Sequence, residues 1–112
     1  MSFHIKELLQ ADGESPFAKW FESLDAVAAA KVSVAVVRME QGNFSSVEWF
    51  RGIGEYKIDW GPGLRIYLAK DGLKLILLLG GGSKKRQQKD IERALVLWDD
   101  YKRRKASTGQ GN

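Results

Sequence analysis

A chain of 112 residues with a net charge of +4, no cysteine and a single histidine, His4, has room for one domain and material for few chemistries. Disulfides, thiolate catalysis and cysteine-based zinc sites are excluded, and a metal site, a cofactor or a Ser-His-Asp triad is not expected. With 44% hydrophobic residues, four Trp and no run near the ~18 apolar residues of a membrane span, the chain reads as folded, cytoplasmic and without membrane contact.

Phe3 to Leu9 reads as a short first strand. Ser15-Pro16 supplies an N-cap followed by proline at the first helical position, and Phe17, Trp20, Phe21 and Leu24 recur at helical spacing. Asp25 caps a second helix running to about Gln41, with Val27, Ala30, Val34 and Val37 on the face expected to pack. Gly42-Asn43 stops it. From Ser46 the period becomes strand-like: Glu55, Lys57 and Asp59 alternate with Tyr56, Ile58 and Trp60. Gly52-Ile53-Gly54 reads as a bulge or tight turn.

Beyond Gly61-Pro62-Gly63, Arg65, Tyr67 and Ala69 alternate with Leu64, Ile66 and Leu68. Asp71-Gly72 marks a hairpin turn, and Leu73 to Leu79 is an apolar central strand. Ile91, Ala94, Leu95, Trp98 and Tyr101 describe an amphipathic closing helix. Residues 1–105 then form one domain, and the small, polar tail from Ala106 to Asn112 is expected to be disordered. The order predicts an α+β domain in which helices cover one face of an antiparallel-rich sheet and leave the other partly open. Most Trp side chains are assigned to the core, with Trp60 the least secure.

Charge is unevenly spread. Residues 1–48 hold four Lys/Arg and seven Asp/Glu, whereas residues 49–112 hold fourteen and seven. One cluster, Lys84-Lys85-Arg86, stands where a glycine run ends and a helical pattern begins. A helix start carries partial positive charge, so cations cost stability there unless something negative faces them. A nucleic-acid phosphate meets that need, and an acidic protein partner fits nearly as well. A solvated charge run is the plain alternative.

RNA cleavage by attack of its own 2′-hydroxyl needs a base, cations on the phosphorane and an acid for the leaving oxygen. Arg65 and Lys84 could hold the nonbridging oxygens, a lysine of depressed pKa could take the proton, and Tyr67 could stack on a base or pass a proton. Alternation lets Lys57, Arg65 and Tyr67 share one face of a hairpin.

Several separated motifs coincide with a known family. They are Phe17…Trp20, Arg38…Gly42-Asn43-Phe44, Gly54-Glu55-Tyr56-Lys57-Ile58-Asp59, Gly61-Pro62-Gly63-Leu64-Arg65-Ile66-Tyr67 and Gly81-Gly82-Ser83-Lys84…Gln87…Asp90-Ile91…Ala94. In this order and spacing the chain resembles the RelE/ParE superfamily of toxins, in particular the HigB-like addiction module killer proteins (phage Gp49-like). The resemblance implies a RelE-like fold and a type II toxin, neutralised by a co-transcribed antitoxin of helix-turn-helix type. It further implies an endoribonuclease that cuts messenger RNA, typically on the ribosome, and so inhibits translation. Carried over by motif, the catalytic candidates are Lys57, Arg65, Tyr67 and Lys84. Lys85, Arg86, Gln87 and Lys89 are candidates for RNA or phosphate binding, with Asp90 in support. The group usually has Arg where this chain has Lys57 and Tyr where it has Leu64. The ParE branch poisons DNA gyrase instead, so gyrase poisoning and a nonenzymatic binding role are the alternatives.

Overall fold

The two longest strand patterns sit at the centre of a five-stranded mixed sheet, which three α-helices flank in the computed structural model; it describes residues 2–109. The elements run β1 (His4–Glu7), α1 (Pro16–Glu22), α2 (Ala26–Glu40), β2 (Val47–Phe50), β3 (Ile53–Ile58), β4 (Leu64–Asp71), β5 (Leu75–Ser83) and α3 (Gln87–Gly109), with a 3-10 turn at Lys84–Arg86 leading into α3. The order across the sheet is β1-β5-β4-β3-β2. β1 runs parallel to β5, and the other pairs are antiparallel.

Both predicted helix starts form as read. The Ser15 hydroxyl accepts from Ala18 N at 3.0 Å with Pro16 behind it, and the Asp25 carboxylate accepts from Ala28 N at 2.8 Å. Each satisfies a backbone donor that the helix leaves unpaired, an effect of about 1 kcal/mol per cap. The strand alternation divides the side chains between two cores. Ile66, Leu68, Ile76 and Leu78 pack beneath α1 and α2 with Phe17, Val32 and Met39, while Tyr67, Ala69, Leu77 and Leu79 pack beneath α3 with Ala94, Leu97 and Trp98.

Several expectations are corrected. The sheet has no open face, because α3 crosses the side opposite α1 and α2. A strand was missed: β2 pairs with β3 through a two-residue turn at Arg51-Gly52, both at positive φ (54° and 87°), the left-handed geometry of the tightest hairpins. The packed face of α2 is Ala28, Val32, Ala35 and Met39, whereas Val27, Val34 and Val37 are about half exposed. A helix apolar nearly all round gives periodicity no unique answer.

The central strand starts at Leu75 rather than Leu73 and continues through Gly80-Gly81-Gly82 to Ser83. Pairing with β4 holds these glycines in place despite their poor strand propensity. Finally, α3 extends through the expected tail to Gly109, while Gln110 to Asn112 lie outside the described residues. Lys105 Nζ bonds the Asp71 carboxylate at 2.7 Å and Tyr101 donates to it at 2.8 Å, pinning the end of α3 to the β4–β5 turn. The Lys105 contact, chiefly, holds the Asp71 carboxyl below the usual carboxylate range. Trp49, rather than Trp60, is the exposed indole. No helix among the described residues is long and apolar enough to cross a membrane.

Candidate functional site

Antiparallel register sets Glu55 opposite Tyr67 and Lys57 opposite Arg65, all on the α3 side of the sheet. The shared face expected for Lys57, Arg65 and Tyr67 is therefore formed, with a carboxylate at its centre. Glu55 is 1% exposed, and a buried carboxylate is costly unless paired and hydrogen-bonded. The Tyr67 hydroxyl donates to its Oε2 at 3.0 Å and the Gln87 amide at 2.8 Å, bringing the first residue of α3 onto β3. Lys57 Nζ lies 3.9 Å from Glu55 Oε1 and bonds Glu48 at 3.0 Å.

Arg65 is the second buried charge. Its Nη1 donates to Gly63 O at 2.8 Å, while its Nε stands 3.7 Å from Glu55 Oε2, close enough for charge attraction but not for a hydrogen bond. That Nε is buried without a hydrogen-bond partner, an expense that native structures rarely accept away from functional sites. Tyr67 is not the exposed ring that stacking would need: it is 1% exposed. Burial, reinforced by the bond to Glu55, pushes its phenol well above the ordinary tyrosine range, so it holds its proton. Its hydroxyl holds Glu55 in place, and a ring buried this deeply is not available for base stacking.

Lys84 reaches the same corner through the backbone. Lys84 N donates to Pro62 O at 3.2 Å, docking the 3-10 turn on the Gly61-Pro62-Gly63 turn. Gly63 sits at φ +75°, and a Cβ there would come within 2.8 Å of Arg65 Nη1 and 3.1 Å of Lys84 Cβ. Only glycine leaves room here for the Arg65 guanidinium and the start of the 3-10 turn together. Lys85, Arg86 and Lys89 are exposed, and among the described residues Lys85 and Lys89 make none of the contacts that build the corner. Arg86 and Asp90 lie instead along a groove of about 580 Å³ between α1 and α3. There Trp20 lies on Gly81 and the Asp90 carboxylate on Gly82, contacts that any side chain at either glycine would obstruct.

No family model matches the chain. Over 99 residues it is 39% identical to an uncharacterized protein of Haemophilus influenzae, an alignment spanning 87% of this chain and 94% of that protein. The chain belongs to that protein's family. Coverage this complete on both sides means that the family shares the whole domain rather than one motif. The relative carries no stated activity, so chemistry must be argued from the corner itself.

Asp90 is the unsettled group beside it. One carboxylate oxygen is buried without a hydrogen-bond partner, and burial raises its pKa against the opposing pull of Arg86 and Arg93. A folded pKa above the unfolded one means that the native state binds protons more readily, so charged Asp90 costs stability at neutral pH and the cost fades on acidification. Asp90→Asn is expected to raise the melting temperature modestly at neutral pH, with the gain vanishing below the ordinary aspartate range. A melting temperature that falls at neutral pH would show that the arginines hold the carboxylate favourably.

Sequence reasoning took Glu55 as part of a motif and, like Asp59, as a structural partner for Arg65 across the hairpin, not as the centre of the corner. The signal was present: Glu55 shares its strand face with Lys57, and a carboxylate flanked by Gly54 and Tyr56 in a central strand needs partners.

Proposed function

We propose that this chain is the toxin of a type II toxin–antitoxin pair, a HigB-like member of the RelE/ParE superfamily that cleaves messenger RNA. One observation carries the reading: Arg65 and Lys57 converge on a buried carboxylate, and the backbone of Lys84 docks on the turn that holds Arg65. The fold would lose less stability with apolar residues here. A phosphate is the ligand that clustered positive charge of this kind attracts. As RNA's 2′-hydroxyl attacks the adjacent phosphorus, negative charge grows on the nonbridging oxygens, and Arg65 and Lys84 stabilise it more than they stabilise the ground state. The Gly63 carbonyl anchors the guanidinium beside Glu55, which Tyr67 and Gln87 hold in turn, so Arg65 need not reorganise during the reaction. Lys85, Arg86 and Lys89 extend the positive surface along the RNA, on or off the ribosome.

Expression of the chain alone is expected to arrest bacterial growth and leave cut transcripts, and co-expression of the antitoxin, a helix-turn-helix protein encoded beside it, to restore growth. Normal growth with confirmed soluble protein would count against a toxin. Arrest with DNA breaks and intact messenger RNA would assign the chain to gyrase poisoning.

A further inference from the structure

β5 is covered along its outer edge for only part of its length. β1 pairs with Leu75 to Leu78, and the last bond runs from Leu8 N to Leu78 O at 2.9 Å. The chain then leaves the sheet, making its next backbone bonds within the turn at Gln10 to Glu14 before α1. On its inner side β5 stays paired to β4 as far as Ser83. Leu79, Gly80, Gly81, Gly82 and Ser83 thus lie consecutively along the groove of about 580 Å³. An uncovered strand edge presents alternating N–H and C=O groups, which are a template for another strand.

The groove suits a particular occupant. Trp20 and Leu24 form one wall, Ala94 and Leu97 the other, and successive side chains of an extended peptide point to opposite sides. Lys19, Arg86 and Arg93 line the rim against a single carboxylate, Asp90. A second copy of this chain, adding its own β5 edge, would bring like charges together. A nucleic acid could match the cations but has no regular ladder of donors and acceptors for the strand edge. We propose that the edge from Leu79 to Ser83 receives an extended segment of a partner protein, alternating apolar with acidic side chains, as a sixth strand. This goes beyond RNA cleavage and does not depend on it.

The test selects a random short-peptide display library against the whole protein, with the double variant Lys19→Glu, Arg93→Glu as counter-target. Both substitutions lie on exposed helix surface, so the fold should survive. The peptides enriched are expected to alternate apolar and acidic residues, and to slow amide exchange within Leu79–Ser83. The double variant should weaken them by about tenfold or more, and N-methylating alternate peptide amides should abolish binding where charge alone would preserve it. The proposal is overturned if no peptide is enriched over the counter-target. Protection falling on α2 or the Lys84 corner overturns it too. So does a single-stranded RNA oligonucleotide that protects these same amides, which would make the groove a nucleic-acid channel. Cleavage assayed without peptide reads the nuclease separately, so either result can fail alone.

Discussion

Glu55→Ala is expected to be the most damaging single change at the corner, costing about 3–5 kcal/mol because it strands a buried guanidinium and two donors at once. At roughly 4–8 °C per kcal/mol for a domain near this size, thermal or denaturant unfolding should register it easily. Tyr67, Gln87, Arg65 and Lys57 all converge on this carboxylate. The double variant Glu55→Ala, Arg65→Ala should therefore be less unstable than the two single losses added together, with a coupling of about 0.5–3 kcal/mol. Strict additivity would mean that the 3.7 Å pair contributes nothing and that Glu55 is held by Tyr67 and Gln87 alone.

Arg65→Ala is expected to have the largest effect on activity, lowering RNA cleavage on the order of 10²-fold or more, as the loss of one transition-state donor does. It should lower the melting temperature as well, since Arg65 is buried and tied to Gly63 O. Arg65→Lys separates the two effects. It keeps a cation near Glu55 but loses the planar fork, so stability should recover more than cleavage does. Lys84→Ala, at an exposed position, serves as the companion: cleavage and its salt dependence should fall while melting stays nearly unchanged. If Arg65→Ala lowers the melting temperature yet leaves transcript cleavage intact, Arg65 is a structural partner of Glu55 and the proposed catalytic corner is wrong.

Local chemistry was legible wherever it was decided locally. The caps at Ser15 and Asp25, the turns at Gly61-Pro62-Gly63 and Asp71-Gly72, and the alternation along β3 and β4 all act over a few residues. The cationic run at Lys84 to Arg86 was equally plain, because charge at a helix start is a one-dimensional fact. Which face of α2 packs was not legible: Val27 and Ala28 are equally apolar, and only the sheet beneath selects Ala28, Val32 and Met39. Nor was the continuation of β5 through three glycines, which depends on β4 as a partner.

The amino-acid sequence by itself determined the element order apart from β2, the strand periodicity that puts Lys57, Arg65 and Tyr67 on one side, and the absence of cysteine chemistry. Tertiary structure alone decided that α3 closes over that side, turning Tyr67 from an exposed ring into a buried donor and Glu55 into the centre of the corner. It also decided that β1 ends early, leaving the edge from Leu79 to Ser83 without a pairing strand from β1. The physical reason is the range of the forces. Caps, turns and alternation are set by backbone sterics and hydrogen bonds between near neighbours, whereas burial, and with it the character of every charged group here, depends on what arrives from far along the chain.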